Sequence, residues 1–265
     1  MGEADISTRT ALVGGGATGI GHAAAAHLLR QGHGVVLTGR NNDTLQAAAE
    51  KLRAGCTGPV GTLVQDVAKL SDVDAAQAVQ HVEERFGSLD VLVLNAGGPP
   101  PGRVLDVTDE QWLRSIELLL LGPLRLARAA LPAMALRGFG RVVLVTSAMV
   151  RQPDPNLAIS VVLRSAATAA AKLMSREYAA NGVTVNCVAP GATATDRRTE
   201  VLAARAAASG STLVEVAARD TMAVPAGRPA TADEIGAAVA FLASRAASYV
   251  NGTVLTVDGG RTETI

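Results

Sequence analysis

The sequence predicts an α/β chain: a single doubly wound, three-layer sandwich around a seven-stranded parallel sheet. Three observations predict it. Apolar runs alternate with helical stretches from end to end of the 265 residues. Each run is continuous rather than alternating, as strands buried on both faces of a parallel sheet must be. The first runs directly into a glycine turn and an alanine-rich helix, Ala11-Leu12-Val13-Gly14-Gly15-Gly16-Ala17-Thr18-Gly19-Ile20-Gly21. Right-handed crossovers between such units build the sandwich. At 48% hydrophobic and 18% charged, the chain can bury a substantial core. No linker or repeat interrupts the pattern, so one domain over residues 1–265 is expected.

In order, strands are expected at residues 10–13, 34–38, 61–64, 91–94, 141–146, 183–188 and 254–257. Helices are expected at 21–30, 43–54, 71–86, 109–135, 157–180 and 231–244. Residues 196–224 stand apart, with Gly210 dividing two helical pieces, and are expected to form a mobile lid. The formal net charge is zero with no basic or acidic block, so nothing favours nucleic acid or an anionic membrane. Residues 1–10 are short and polar with no signal-peptide core. No apolar run approaches the ~20 residues of a membrane span. Cys56 and Cys187 have neither metal-ligand spacing nor a disulfide framework, which suits two reduced thiols in a cytoplasmic protein.

The glycine turn carries the first functional signal. Its backbone conformations are open mainly to glycine. Bare main chain at a helix N-terminus suits a pyrophosphate, and Gly15, Thr18, Gly19 and Ile20 are the candidate contacts. The spacing G-x-x-x-G-x-G departs from the usual dinucleotide fingerprint. It resembles the short-chain dehydrogenase/reductase superfamily, a Rossmann-type fold, with Gly14 where that family normally begins on Thr. The second strand ends Leu37-Thr38-Gly39-Arg40. Dinucleotide folds usually place an acid about 20 residues past the glycine turn to bind ribose hydroxyls. Here Gly39 takes that place and Arg40 follows; a guanidinium pairs with a 2′-phosphate that a carboxylate would repel. The expected cofactor is therefore NADP(H). His22 is a second candidate for that phosphate, with a solvated helix face as the plainer reading.

The resemblance extends along nearly the whole chain. Asp66-Val67 is similar to the family's adenine-contacting pair, and Asn95-Ala96-Gly97 to its Asn-Asn-Ala-Gly element, with Leu94 in the first Asn position. Val185-Asn186-Cys187-Val188-Ala189-Pro190-Gly191 resembles the strand and turn that cradle the nicotinamide. Thr195 falls where the family hydrogen-bonds the carboxamide. Gly227-Arg228-Pro229, Phe241-Leu242-Ala243-Ser244 and Val257-Asp258-Gly259-Gly260 are similar to its C-terminal elements. The resemblance implies a homotetramer, built partly through helices 109–135 and 157–180, with a homodimer as the smaller option.

The catalytic pattern breaks. Family members ordinarily use Asn, Ser, Tyr and Lys, the Tyr giving a proton to the carbonyl oxygen as hydride arrives. Counting back from Val185-Asn186, the Tyr-x-x-x-Lys positions fall on Ser160 and Arg164, with Ser147 thirteen residues before Ser160. Counting from Trp112 to Gly122 puts the Asn position on Leu119, most simply a core residue. The two tyrosines, Tyr178 and Tyr249, and the three lysines, Lys51, Lys69 and Lys172, lie away from the inferred cleft. Ser160 and Arg164 share a helix face. With Asn95 to Gly102 and Gln152-Pro153, they resemble a β-ketoacyl-carrier-protein-reductase-like subgroup carrying Ser-x-x-x-Arg. Arg164 can bind ribose hydroxyls but should not exchange protons, its pKa staying above ~12. Two hydroxyls on one oxygen with a cation behind them can stabilise an alkoxide.

The expected activity is NADPH-dependent reduction of a carbonyl, or of an activated C=C or C=N bond, through Ser147, Ser160 and Arg164. A non-redox lyase or isomerase, or a silent NADPH-binding module, are the alternatives on the same fold. The substrate is a small molecule, free or carrier-linked. Pro99, Arg103, Met149, Gln152, Pro153 and Leu157 are expected to line its pocket, Arg103 as an anchor for an anion. The lid arginines Arg197, Arg198, Arg205 and Arg219 read more simply as a solvated amphipathic face than as substrate contacts.

Overall fold

The computed structural model describes residues 9–264. Residues 1–8 of the polar N-terminal segment lie outside the described residues. Seven apolar runs form strands: β1 (Thr10–Gly14), β2 (Gly34–Gly39), β3 (Val60–Val64), β4 (Val91–Leu94), β5 (Gly140–Val145), β6 (Val183–Pro190) and β7 (Val254–Val257). All pairings are parallel, in the order β3-β2-β1-β4-β5-β6-β7. In register, Leu12 of β1 sits between Val36 of β2 and Leu92 of β4. The strand order therefore reverses at β1 and β4. Such a switch point opens a crevice at the carboxyl ends of the strands.

The helices are α1 (Gly19–Arg30), α2 (Asn42–Gly55), α3 (Asp72–Phe86), α4 (Asp109–Ile116), α5 (Gly122–Leu136), α6 (Ala158–Glu177), α7 (Asp196–Ser209), α8 (Leu213–Met222) and α9 (Ala232–Ala243). One core joins the sheet to α1, α2 and α9 through residues such as Ala25, Leu28, Leu45 and Val239. The other joins it to α3, α5 and α6 through Val79, Leu126, Met134 and Ala167. Expected and observed boundaries differ by a few residues, for local reasons. Strand β6 runs on to Pro190 because it pairs with β7 as far as Val257. Helix α1 starts at Gly19 rather than Gly21 because the Thr18 carbonyl already accepts the His22 amide at 3.2 Å. Helix α6 stops at Glu177, where a short turn leads to left-handed Gly182.

The expected helix at 109–135 carries a π turn, Glu117–Leu121, between α4 and α5. Pro123 has no N–H for an ordinary i→i−4 bond, and the widened turn absorbs the loss. Gly122 is also required there, since a Cβ would stand 2.1 Å from the Val67 carbonyl oxygen. One expectation is corrected. Among the described residues two helices, Asp109–Leu136 and Ala158–Glu177, are long and apolar enough to cross a membrane by length and composition. Their apolar residues serve packing here: Leu126, Leu131, Ala167 and Ala171 face the core. Leu113, Leu136, Val162 and Leu173 remain exposed on the outer side.

Candidate active site

A cavity of about 620 Å³ opens where the switch point predicts, lined from the ends of β1, β2, β4, β5 and β6. The glycine turn makes one wall. Gly15 and Gly19 hold φ of 58° and 53°, in the left-handed region where a side chain is strained. A Cβ on Gly21 would lie 2.2 Å from the Gly15 carbonyl oxygen. Asn95 Nδ2 donates to the Gly14 carbonyl at 3.0 Å, tying the loop after β4 to this turn. Gly15, Thr18, Gly19, Ile20, Asn95, Ala96 and Gly97 all line the cavity. A Cβ on Gly97 would meet no protein atom within 4 Å, so bare main chain faces open space.

The end of β2 supplies a second wall. Arg40 lines the cavity and is exposed, beside Asn41 and Thr44. Asn41 caps α2 by accepting from the Thr44 amide at 3.0 Å, so a positive helix end faces the same corner as the guanidinium. A Cβ on Gly39 would rest in ordinary contact with Leu45 at 3.4 Å, so space alone does not require glycine there. His22 is half-buried rather than a solvated face, and it does not line the cavity. Burial lowers its pKa, which favours the neutral ring. Asp66 accepts from the Ala68 amide at 3.1 Å and lines the cavity with Val67.

Pro190, Gly191 and Thr195 close the far end. The Gly191 amide donates to Val257 at 3.0 Å, and a Cβ on Gly191 would collide with Asp258 at 2.6 Å. Between these walls stand Ser147, Ser160 and Arg164. Ser147 follows β5 and its Oγ accepts from the Met149 amide at 3.2 Å, which leaves its own hydrogen free. Helix hydroxyls elsewhere bond back to their own helix, as Ser165 does to Val161 at 2.7 Å and Thr168 to Arg164 at 2.7 Å. Ser160, in the first turn of α6, has no side-chain partner among the described residues and faces the cavity. Arg164, one turn on, donates to the Val145 carbonyl at 2.6 Å. Burial, then the nearby charge of Arg197, pushes its pKa down to about 10. That corrects the expected value above 12, although the group stays protonated near neutral pH. Leu119 is buried in the π turn against Ile159 and Leu163, and its neighbour Leu118 lines the cavity instead. No tyrosine or lysine lines it.

The expected pocket residues divide. Pro99, Met149 and Leu157 line the cavity; Arg103, Gln152 and Pro153 do not. Gly102 bridges to Leu157 and its amide donates to the Asn156 carbonyl at 2.8 Å. The chain turns outward beyond that bridge, leaving Arg103 exposed. Gln152 is exposed and accepts from the Glu263 amide at 2.9 Å.

The lid arginines also divide. Arg197, Arg198 and Arg205 point into the cavity, contrary to the solvated reading, while Arg219 is exposed and bonds Ser211. Helices α7 and α8 meet at a 113° bend through left-handed Gly210. Asp220, whose side chain is 6% exposed, accepts from Arg198 at 2.9 Å, Arg205 at 3.3 Å and Arg261 at 3.0 Å. Arg205 also pairs with Asp154 in the loop before α6. Neither Asp220 nor Arg261 carries a local signal in the sequence, since only the folded tail brings Arg261 back to α8. Burial alone would raise the Asp220 pKa, but hydrogen bonds and charge from Arg261 and Arg198 outweigh it and lower it. A depressed carboxyl stabilises the fold above its unfolded value of 3.8 and loses that contribution as pH falls below it. The protection of α8 amides, measured relative to their pH-dependent intrinsic exchange rates, should therefore stay constant from about pH 7 to about pH 5 and fall only in stronger acid. Loosening already between pH 6 and pH 5 would contradict this assignment.

Comparison with known proteins agrees with this architecture. The family model described as Enoyl-(Acyl carrier protein) reductase matches residues 15–262. An uncharacterized oxidoreductase of Bacillus subtilis is 31% identical over 263 residues, 97% of this chain and 98% of the relative. The 3-oxoacyl-(acyl-carrier-protein) reductase of Escherichia coli is 32% identical over 252 residues, 95% and 96% of the two chains. Among solved structures, an actinorhodin polyketide ketoreductase with NADPH superposes with a TM-score of 0.92 at 31% identity, over 99% of this chain and 100% of that one. An L-sorbose reductase from Gluconobacter frateurii, complexed with NADPH and L-sorbose, gives 0.90 at 29% identity over 98% of each. With the sheet order, the glycine turn and these full-length matches in agreement, the chain belongs to the short-chain dehydrogenase/reductase superfamily of oxidoreductases.

Proposed function

We propose that this oxidoreductase uses NADPH to reduce a carbonyl compound, with Ser147 and Ser160 as hydrogen-bond donors and Arg164 as the supporting cation. The observation that carries the reading is the unpartnered Ser160 hydroxyl, one helical turn from Arg164, facing the cavity that the glycine turn also lines. The cofactor fits the residues present. The bare Gly97 main chain leaves room for it, Gly15, Thr18, Gly19 and Ile20 offer main-chain donors at the start of α1, and Arg40 with the α2 terminus suits a 2′-phosphate. Asp66 and Val67 would border the adenine, while Asn95, Ala96, Pro190, Gly191 and Thr195 would border the nicotinamide half. Relatives solved with NADPH support the same choice.

Bound there, NADPH supplies the hydride that converts a carbonyl carbon to an alcohol carbon. The two serine hydroxyls then aim at the substrate oxygen, and the Arg164 charge behind them stabilises the negative charge that develops. Arg164 is anchored by the Val145 carbonyl, so its position is set before reaction. With a pKa about 10 it is a poor acid at neutral pH, and the alcohol's proton comes from water. Pro99, Met149 and Leu157 would contact the substrate body, and the 196–224 lid would cover it. The exposed apolar residues Leu113, Val162 and Leu173 support a homotetramer assembled through α4 to α6. A panel of small oxo compounds and carrier-linked 3-oxoacyl groups, followed at the reduced-cofactor absorbance, tests the activity. Stoichiometric NADPH consumption by at least one compound is expected. Tight NADPH binding without turnover across the panel would replace the reductase reading with a silent binding module.

A further inference from the structure

The arginines lining the cavity are not equivalent. Arg198, Arg205 and Arg261 converge on buried Asp220, so their charges are compensated inside the protein. Arg164 has no carboxylate partner among the described residues; its guanidinium meets only the Val145 carbonyl. Arg197 pairs with Glu200, whose side chain is 66% exposed and faces water. Yet Arg197 is held firmly. It donates to the Pro99 carbonyl, and it lies so close to Gly98 that a Cβ there would stand 2.2 Å from its Nε. Asp66 and Asp196 also line the cavity, but neither pairs with Arg164 or Arg197, and the Arg197 charge is felt at Arg164 as a lowered pKa.

We infer that the substrate carries an oxyanion beside its reacting carbonyl, and that Arg197, together with Arg164, is the site that receives it. This rests on the reading of Arg164 as the cation at the reacting oxygen. Guanidinium forks match carboxylate and phosphate oxygens in pairs, and each such bond is charge-assisted. The anion would also offset the mutual repulsion of the two cations. Arg197 then distinguishes charged from neutral carbonyl compounds, while the Asp220 cluster holds the wall in place.

Calorimetric titration with oxamate, methylphosphonate and neutral oxamide, each with and without NADP⁺, tests the inference. One of the two anions should bind and oxamide should not; which anion binds separates a carboxylate from a phosphate substrate. Arg197→Gln keeps a donor for the Pro99 carbonyl but removes the charge, and should weaken the anion at least tenfold. Arg197→Lys should retain part of the affinity, and Arg219→Gln, on the outer face of α8, all of it. Equal binding of oxamide and the anions, or unchanged anion affinity in Arg197→Gln, would overturn it. Cofactor binding is scored separately by the fluorescence of NADPH. A chain that takes oxamate through Arg197 but ignores NADPH would sink the cofactor reading and keep this one.

Discussion

Arg164→Met is expected to lower turnover by about two to three orders of magnitude, the usual effect of removing a preorganised donor that stabilises an oxyanion. Fold stability should move the other way, or not at all. Burial and the Arg197 charge hold the Arg164 pKa below its ordinary value, at about 10, so the folded state resists the charged form. A half-buried guanidinium without a carboxylate partner costs desolvation that an apolar side chain avoids. The melting temperature of Arg164→Met should therefore be kept or raised while NADPH consumption falls. A variant that retains normal turnover removes Arg164 from the mechanism. One that loses activity and melts far lower makes the residue structural instead. Ser160→Ala should cost less, because Ser147 still offers a hydroxyl.

The second large effect is one of selectivity. Arg40→Ala should weaken NADPH binding by about 10–100-fold and leave NADH nearly unchanged, as loss of a hydrogen bond to a charged group costs ~1.5–3 kcal/mol. Arg40 is exposed and has no carboxylate partner among the described residues, so its removal disturbs little else. Parallel fluorescence titrations with the two cofactors check this. Equal weakening of both would place the effect at the α2 terminus rather than at a 2′-phosphate.

Much of the site was legible because its geometry is local. A glycine with positive φ follows from the turn it occupies, and Ser160 and Arg164 meet because four residues make about one helical turn. Ser147 was legible from its offset to them. Arg103 was misplaced because a proline run does not reveal where it turns, and that is decided by the bridge from Gly102 to Leu157. The lid was misjudged for a similar reason. Arginines among alanines look like a solvated face until Asp220, on a different helix, draws Arg198 and Arg205 inward.

By itself the sequence determined the seven strands, their parallel burial, the glycine turn and the placing of Ser160 and Arg164 one helical turn apart. Periodicity, turn chemistry and spacing are short-range properties, written in neighbouring residues. The tertiary structure alone decided which charges are compensated and which are free. Arg261 reaches Asp220 across 41 positions, and Arg197 reaches Pro99 across 98. Electrostatic pairing depends on distance in space, and no local pattern records which distant groups folding will bring together.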